Sequence, residues 1–329
     1  KKYCKAIFGD AGMKKAAIII VNWNGKRFLK NCLSAVYKQT YKNFQVYFVD
    51  NGSTDNSSEY VRKSFPKAKI IQLDKNYGFA KGNNEGIKQA FKDKSVEYIV
   101  CLNNDTIVDK NWLKELIKTA EKSDKIGAVG SLALFEDGKV QSIGLRFAKD
   151  LQGNKVGGLS IGFGENQNKY NKEIEIFAPS GVSVLYKRKV LEEVGLFDED
   201  FFAYAEDLDL GWRVKNKGYI SVYNPKSKLI HLHSQTGQVA SPFKAYYVKR
   251  NSYLTSIKNF SFIDVILFPF RDLKWNIKNL FKKDKTKSVT KLKDKIGISG
   301  LIWIMLKVYL SVLYYTPKML LKRWRVVKQ

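Results

Sequence analysis

Apolar and polar positions follow two alternating patterns through the first third of the chain. Short apolar runs predict buried strands, and segments whose apolar residues recur with the helical period predict the helices between them. The strands are expected at 16–21, 44–49, 68–73 and 96–102, and the helices at 26–38, 57–65, 78–91 and 111–122. Strand-helix units of this length predict an α/β fold with a mixed, mostly parallel sheet and right-handed crossovers.

The remaining chain divides into a looser middle and a different C-terminal quarter. Residues 127–176 are rich in glycine and predict strands joined by a flexible loop at 153–171. Residues 1–13 fit no element and are interpreted as an extension or a remnant of cloning. We therefore expect an α/β domain at 14–240 and a helical region at 241–329.

The net charge of +27 over 329 residues is concentrated toward the C-terminus, where residues 262–329 hold sixteen Lys and Arg against four Asp. A basic chain of this kind binds nucleic acid, an anionic membrane or a polyanionic substrate. Three scattered cysteines are too few for a disulfide framework or a zinc site and favour a reducing compartment. The first apolar run is too short for a secretory signal.

Polar residues that follow the predicted strands carry the candidate chemistry. Asn103-Asn104-Asp105 ends the fourth strand, and hard oxygen ligands at that edge of an open α/β sheet point to a ligand site. The acidic pair Glu206-Asp207 and His231 come later. One carboxylate for a metal, one for a proton and a histidine together indicate metal-assisted group transfer, although Asn and Asp are also ordinary strand-end turn residues.

The loops after the first three strands give a nucleotide-binding signal of the same kind. Asn22-Trp23-Asn24, Asp50 and the glycine-containing stretch 76–84 each stand before a predicted helix, where backbone N–H groups meet anions. For any single loop, helix capping is the alternative explanation. No GxGxxG or GxxxxGK[ST] is present, so a dinucleotide or P-loop site lacks support.

Taken together, these motifs resemble the family-two inverting glycosyltransferases of GT-A fold, and most of all their rhamnosyltransferase-like branch. The resemblance covers residues 14–251. Its motifs lie at 21–24, 49–55, 76–83, 102–105, 179–185, 195–202, 206–213, 231 and 246–251.

The resemblance implies a role for each matched residue. Asp105 stands at the family's metal-binding Asp-x-Asp position, with Asn103 where many relatives have Asp, and His231 matches the second metal-site residue. His231 is preferred over His233, which points to the same face of a strand. Asp207 matches the catalytic base, and Glu206 lies beside it. The predicted nucleotide-sugar contacts are Asn22, Trp23, Asn24, Asp50, Asn76, Gly78, Lys81, Asn83, Asn103, Asn104 and Gly181.

The chemistry follows from charge. A divalent ion, Mg²⁺ or Mn²⁺, offsets the negative charge that develops on a nucleotide-diphosphate leaving group, and oxygen ligands with one imidazole suit it. An acceptor hydroxyl needs a carboxylate to take its proton, and Asp207 is the candidate. Phe201, Phe202 and Tyr204 are expected to limit water access. One base without a second carboxylate nucleophile implies inversion.

The C-terminal quarter is apolar at 262–270, basic at 274–295 and apolar again at 296–315. A run of about 20 apolar residues could span a bilayer. Lys307 within it argues against spanning, and flanking basic and aromatic residues favour helices lying on an anionic membrane. The alternative is packing on the catalytic domain or on a second copy, in a homo-oligomer. The Gln-x-x-Arg-Trp motif of processive synthases is missing, since Leu320 stands at the glutamine position.

These inferences predict an enzyme at the cytoplasmic face of the membrane. It would transfer a sugar, with dTDP-rhamnose as the favoured donor, to a lipid-linked or cell-surface glycan, and would not bind nucleic acid. Two alternatives stay open: a basic nucleic-acid-binding protein, and a non-catalytic protein that binds sugar nucleotides. The first predicts aromatic residues interleaved with Lys and Arg on the α/β domain, whereas the sequence concentrates them in the C-terminal quarter.

Overall fold

A computed structural model describes residues 13–149, 155–232, 241–280 and 288–327. Its strands are β1 (Lys15–Asn22), β2 (Phe44–Asn51), β3 (Lys69–Leu73), β4 (Val96–Asn103), β5 (Thr106–Val108), β6 (Ile126–Leu134), β7 (Val140–Ser142), β8 (Leu145–Lys149), β9 (Lys155–Ser160), β10 (Ile174–Ile176), β11 (Ser183–Lys187) and β12 (Ile220–His231). Its helices are α1 (Lys26–Tyr37), α2 (Ser57–Ser64), α3 (Gly78–Phe91), α4 (Trp112–Ala120), α5 (Arg188–Val194), α6 (Glu206–Asn216), α7 (Pro242–Asn259), α8 (Phe262–Leu280) and α9 (Ser288–Val327).

The central sheet is mixed and mostly parallel, as the alternation of elements predicts. Its strands run in the order β10-β12-β6-β11-β4-β1-β2-β3. The pairs β4-β1, β1-β2, β2-β3 and β6-β12 are parallel, whereas β11 is antiparallel to both of its neighbours. The carboxyl ends of β1, β2 and β4 therefore meet at one edge of the sheet, where open α/β folds bind their ligands.

Successive residues of β1 point to opposite faces of the sheet and bury both. Ile18 and Ile20 pack with α1, α2 and α4 on one face. Ala17 and Ile19 pack with α3, α5 and α6 on the other. The result is a three-layer core, and it explains why the first strand reads as a continuous apolar run.

The predicted flexible loop at 153–171 is wrong in part, because Lys155–Ser160 is strand β9, paired with β8. Residues 150–154 lie outside the described chain. The glycines of β9 reflect close packing: a Cβ on Gly158 would lie 2.1 Å from Leu208 Cδ1 on α6. A glycine in a strand marks such close approach as often as it marks flexibility.

The C-terminal helices pack beside the sheet around a third apolar cluster. On α9, Val308, Val312 and Met319 face inward with Tyr253 and Leu254 of α7. A break at Gly297, with φ of +69°, divides α9. The alternative of packing on the α/β region is therefore supported along one side of this helix, since the same cluster includes Phe201 and Leu208.

The opposite side of α9 is apolar and exposed. Within the described chain, Leu292–Arg323 is long and apolar enough to cross a membrane, judged by length and composition, and its most apolar 18 residues have a mean hydropathy of 1.9. Its exposed residues include Ile302, Trp303, Leu310, Leu313 and Tyr314. The predicted extension at 1–13 lies outside the described residues except for its last position.

Candidate active site

The strand-end residues singled out from the sequence converge because their strands are parallel and in register. Asn22 pairs with Asp50 across β1 and β2, and Val21 pairs with Asn103 across β1 and β4. The loops that follow these strands, at 22–26, 50–58 and 76–84, are called here the strand-end loops. They bring the predicted nucleotide contacts to one edge of the sheet.

Asn22 ties two of these segments together. It is fully buried, its Nδ2 donates to Ser53 Oγ at 3.1 Å, and its Oδ1 accepts from Asn104 Nδ2 at 2.6 Å. Asn24 Oδ1 accepts from the Thr54 N–H at 2.8 Å. The amides of Asn22 and Asn24 thus hold the loops in place, and Trp23 between them is 44% exposed and presents its indole ring.

Asp50 is held rigidly beneath the same loops. It is buried, its Oδ1 accepts from the Ser53 N–H at 3.0 Å, and its Oδ2 accepts from the Ser58 hydroxyl. A carboxylate oxygen has two lone pairs, so these bonds fix the side chain without using all of its acceptor capacity.

The loop that opens α3 is built around Asn51. Its Oδ1 accepts from the Tyr77 N–H at 2.9 Å, and its Nδ2 donates to Gly78 O and Asn76 Oδ1. Gly78 has φ of +83°, and a Cβ there would lie 2.4 Å from Phe202 O, so this position requires glycine. Asn51 was not among the predicted contacts, although it lies within a recognised motif.

Two predicted contacts on α3 differ in what they can reach. Lys81 is half-buried, with Nζ 3.9 Å from the Tyr77 ring centroid, and stands at the positive end of the helix. Asn83 is buried and donates to Phe79 O one turn earlier. The structure thus uses Asn83 to stabilise the helix and leaves Lys81 nearer to the loop.

Asp105 and His231 form a close pair at the end of β4. Asp105 Oδ1 lies 2.9 Å from His231 Nε2, and both residues are less than 10% exposed. The pair is built by the sheet, since His231 pairs with Thr106 across β12 and β5 and the Leu232 N–H donates to Asp105 O at 2.9 Å. His233 lies outside the described residues.

Gln141 on β7 completes this pair and was not predicted. His231 Nδ1 lies 2.6 Å from Gln141 Oε1. With the amide in this orientation Nδ1–H donates to Oε1, which leaves the lone pair of Nε2 facing Asp105. A carbonyl that fixes the tautomer of a histidine is the usual second partner of a metal-binding imidazole.

The Asp105–His231 pair fits a divalent ion. Two ligands at right angles around an ion with bonds of about 2.1 Å lie about 3 Å apart, close to the 2.9 Å observed here. Among the described residues no group of three or more His, Cys, Asp and Glu side chains is arranged to hold a metal. Two protein ligands leave room for water and for phosphate oxygens. Asn103 contributes an amide, 3.5 Å from His231 Nε2.

Asp207 stands at the beginning of α6 and is linked to the same strand end. The Gly181 N–H donates to Asp207 Oδ2 and the Leu208 N–H donates to Oδ1, each at 2.9 Å. One residue further, Val182 O accepts from the Asn103 N–H at 3.0 Å. Desolvation raises the pKa of Asp207 above its ordinary value, although these N–H groups oppose the change.

Glu206 has a different environment from its neighbour. It is 5% exposed, and its Oε2 has no hydrogen-bond partner among the described residues. Burial, and then the negative charge of Asp207, raise the pKa of Glu206 well above its ordinary value. Glu206 is therefore biased toward the neutral acid, and Asp207 is the better proton acceptor of the two.

The segment before these acids, residues 199–205, is called here the clamped segment because its strained backbone is held from outside. Phe202, Tyr204 and Ala205 all have φ between +62° and +69°, which is unfavourable for residues other than glycine. Asn251 Nδ2 on α7 lies within 2.9 Å of the carbonyl oxygens of Phe201, Ala203 and Tyr204. These contacts fix the point at which α6 begins, and with it the positions of Glu206 and Asp207.

Further contacts hold the clamped segment on both sides. Arg250 Nη2 donates to Asp200 O at 2.6 Å and Phe201 O at 2.9 Å. On the side of the strand-end loops, Phe202 O accepts from the Ala80 N–H at 3.2 Å. The prediction that Phe201, Phe202 and Tyr204 limit water access is wrong for Phe201, which is fully buried in the C-terminal cluster.

Ion pairs connect the same region to the C-terminal helices. Lys258 on α7 lies 2.7 Å from Asp198 and 2.9 Å from Asp209. On α9, Lys322 contacts Asp198 and lies 2.7 Å from Asp200, and Lys318 lies 2.6 Å from Asp200. These partners are 49 to 124 residues apart in sequence, so local pattern gave no signal for them.

The fold and the arrangement of the strand-end carboxylates are those of the GT-A architecture. A family model described as Glycosyl transferase family 2 matches residues 17–195. The chain belongs to this family.

The chain spans less than half the length of two of the curated relatives that it matches. The chain is 29% identical over 253 residues to the O-antigen biosynthesis protein RfbC of Myxococcus xanthus, covering 74% of this chain and 19% of that protein. It is 28% identical over 218 residues to the poly-beta-1,6-N-acetyl-D-glucosamine synthase of Staphylococcus epidermidis, covering 64% and 48%. The N-acetylglucosaminyl-diphospho-decaprenol L-rhamnosyltransferase of Mycobacterium tuberculosis is 25% identical over 247 residues, covering 70% and 80%.

Solved structures share the fold at low identity. GalNAc-T7 with UDP, GalNAc and Mn²⁺ matches with a TM-score of 0.60 and 16% identity, covering 94% of this chain and 59% of that one. The mannosyltransferase PcManGT of Pyrobaculum calidifontis, in complex with GDP-Man and Mn²⁺, has a TM-score of 0.54 and 14% identity, with coverages of 92% and 86%. The match to S. aureus TarS 1-349 has a TM-score of 0.53 and 18% identity, covering 94% and 89%.

Proposed function

We propose that this glycosyltransferase is metal-dependent and inverting, and that it moves a sugar from a nucleotide diphosphate to a lipid-linked or cell-surface glycan. The observation that carries the proposal is the link between the two acidic centres. Asp105 with His231 lies at the end of β4, and Asp207 is joined to the same strand end through Gly181, Val182 and Asn103. An ion-binding pair and a proton acceptor thus share one edge of the sheet.

Each group has a role that its surroundings support. Asp105 and His231 hold the ion, Mg²⁺ or Mn²⁺, which supplies positive charge to the leaving diphosphate when it is bound. Asp207 accepts the proton of the acceptor hydroxyl, since its pKa is raised by burial while its oxygens stay oriented by two N–H groups. Asp50 and the strand-end loops hold the nucleotide.

The favoured donor is dTDP-rhamnose. Its support is the mycobacterial rhamnosyltransferase, of which the aligned region covers 80%. The relatives with other sugars in their names support the reaction class rather than this donor. Membership of an enzyme family argues against the non-catalytic alternative. The basic residues are concentrated in the C-terminal quarter and not interleaved with aromatic residues on the α/β domain, which argues against nucleic acid as the partner.

The test is a panel of nucleotide sugars scored by thermal shift, with Mn²⁺, Mg²⁺ or EDTA. A ligand that binds only the folded chain raises its melting temperature. We expect dTDP- or UDP-linked sugars to stabilise the protein, and the shift to disappear with EDTA and in Asp105→Ala. Asp124→Ala, which changes an exposed carboxylate before the start of β6 and so at the opposite edge of the sheet, is the matched control. Equal shifts with and without EDTA would remove the ion from the proposal.

We propose further that residues 14–240 form the catalytic domain and that 241–329 attach it to the inner face of an anionic membrane. The exposed side of α9 is apolar, and Phe262, Ile263, Phe270 and Leu273 of α8 are also exposed. Lys307 lies within the apolar stretch, where spanning would cost about 2.5–3.5 kcal/mol on insertion scales, so α9 lies on the membrane instead of crossing it.

Vesicle sedimentation tests this attachment. We expect binding to vesicles of phosphatidylcholine with phosphatidylglycerol, weaker binding to phosphatidylcholine alone, and release of the anionic vesicles by salt. Leu313→Ser with Tyr314→Ser should abolish binding, whereas Ile174→Ser, at an exposed apolar position of β10, serves as the control. Protein that stays bound after alkaline carbonate extraction would show a spanning helix and contradict the proposal.

A further inference from the structure

Lys244, in the first turn of α7, is a half-buried cation without an anionic partner in the described chain. Its backbone N–H donates to Ser241 Oγ, while its ammonium Nζ lies 5.8 Å from the Tyr204 ring centroid. Burial alone lowers the pKa of Lys244 below its ordinary value, with no neighbouring carboxylate to oppose that change. Withdrawing an ammonium group from water without a counter-ion is unfavourable.

The other cations of α7 show how unusual this environment is. Lys249 lies 2.5 Å from Asp272, and Lys258 lies within 2.9 Å of two carboxylates. Arg250 donates to two backbone carbonyls of the clamped segment. This helix is described over its full length. Among its Lys and Arg residues, Lys244 is the one whose charged group contacts neither a carboxylate nor a carbonyl oxygen of the described chain.

Lys244 lies beside aromatic rings that adjoin the candidate base. Phe243 is 46% exposed, and its ring centroid is 4.7 Å from that of Tyr247, which in turn stacks on Phe202 at 5.0 Å. Tyr204, the ring nearest to the Lys244 ammonium, belongs to the clamped segment that leads into Asp207. This group therefore borders the clamped segment on the side of α7, and Phe202 O also accepts from the Ala80 N–H of the strand-end loops.

The same rings continue toward the exposed apolar side of α9. The Arg250 guanidinium lies 4.8 Å from the Tyr247 ring centroid and 5.2 Å from that of Tyr315. Tyr315 packs on Tyr314, which is 79% exposed. An anion held at Lys244 would have an apolar surface within reach on one side and the candidate base on the other.

We propose that Lys244, with Phe243 and Tyr247, binds the phosphate group of a glycolipid acceptor and so places its sugar next to Asp207. The inference rests on the proposed function, because it assigns a subsite to the lipid-linked acceptor. A phosphate ester on an apolar chain matches both observations, the cation without a counter-ion and the aromatic path to α9. A bilayer phospholipid headgroup carries the same chemistry, and the experiment separates the two sources.

The probe is farnesyl diphosphate, used as a monomer in vesicle-free solution containing saturating UDP and Mn²⁺, with binding measured by calorimetry. We expect Lys244→Met to weaken this binding at least tenfold and Lys244→Arg to retain most of it, since methionine keeps the apolar stem and arginine keeps the charge. Farnesol, which has no phosphate, should bind both variants and wild type equally weakly. Lys217→Met, an exposed lysine at the end of α6, should bind farnesyl diphosphate as wild type does.

Two further measurements decide between the alternatives. The affinity for UDP should not change in Lys244→Met; an equal loss for UDP would assign Lys244 to the donor site and overturn the proposal. Binding of farnesyl diphosphate that is unchanged in Lys244→Met, or absent in wild type, would also overturn it, and binding that occurs only on phosphatidylglycerol vesicles would assign Lys244 to bilayer headgroups. Failure of the proposed function would instead appear as no UDP binding by wild type. Melting curves of each variant confirm that it is folded.

Discussion

The strand-end loops and the clamped segment hold their backbones by opposite means. The strand-end loops are fixed by side chains of their own α/β unit, such as Asn22 to Ser53 and Asn51 to Tyr77, with partners close to the same sheet edge. The clamped segment has three left-handed residues among its seven and depends on Asn251 and Arg250 of α7. The nucleotide side is thus self-supporting, whereas the side that carries Asp207 is held by the C-terminal helices.

This difference suggests that donor binding and proton transfer can be impaired separately by mutation. Donor binding should depend on residues before about 105, and proton transfer should depend on the helices after 241. The four predictions below test that separation, from the largest expected effect to the smallest.

Asp207→Asn should reduce turnover by about 10²–10⁴-fold, because an amide cannot accept the acceptor proton. Asparagine keeps one oxygen, so one of the two bonds from the Gly181 and Leu208 N–H groups is retained and the other is lost, while the contacts within the strand-end loops should be unchanged. Single-turnover transfer and nucleotide calorimetry measure the two effects. A loss of nucleotide affinity as large as the loss of turnover would show that the two regions are one unit.

Asn251→Ala should lower stability by about 2–4 kcal/mol, because it removes three carbonyl contacts that hold strained residues. We expect kcat to fall more than tenfold with little change in the KM for the donor, since the displaced groups are those next to Asp207. Denaturant unfolding and steady-state kinetics below the melting temperature provide the measurements. Ser252→Ala, on the neighbouring position of α7, is the control, and a rise in donor KM without a fall in kcat would contradict the comparison.

Asn22→Ala tests the other region. It leaves Asn104 Nδ2 and Ser53 Oγ without a buried partner, which should cost about 1–3 kcal/mol and loosen two strand-end loops. Nucleotide affinity should fall more than turnover at saturating donor. Asn216→Ala, at the end of α6, is the control. Asn43→Ala is unsuitable, because the Asn43 side chain donates to Met13 O. An effect on kcat alone would be the contrary result.

Glu206→Gln should have the smallest effect, and one that depends on pH. The folded-state pKa of Glu206 is raised, so the contribution of this group to stability is fully present below the unfolded pKa of about 4.3 and is lost as pH rises toward the folded value. Glutamine does not ionise. The stability of the variant relative to wild type should therefore rise by about 1 kcal/mol or more between pH 4 and pH 8. Its melting temperature relative to wild type should rise over the same range. Glu97→Gln, an exposed control, should show no such trend.

The strand-end loops were predictable from sequence because their signals are local. Asn22 and Asp50 each follow an apolar run directly, and Asp105 follows one after two asparagines. A parallel sheet brings such positions together whatever the details of the loops. The predicted helices and strands of the first third agree with the structure to within a few residues at each end.

The clamped segment was not predictable, because its conformation depends on residues that are distant in the sequence. A left-handed backbone usually coincides with a glycine in the sequence. Here Phe202, Tyr204 and Ala205 adopt it because distant side chains enforce it. Gln141 lies 90 residues from His231 and looks like any polar residue of a short strand. Arg250 and Asn251 stood within a recognised motif, but only the structure shows which carbonyls they bind.

The ion pairs of α9 with Asp198 and Asp200 have a practical consequence for anyone producing the protein. Removing the apolar C-terminal stretch to improve solubility would also delete Lys318 and Lys322. Asp198 would then keep Lys258, whereas Asp200, which lies within the clamped segment that leads into Asp207, would lose both of its lysine partners. A shortened protein of this kind should be purified with its catalytic edge already loosened, and detergent or lipid is the better route to a soluble, active sample.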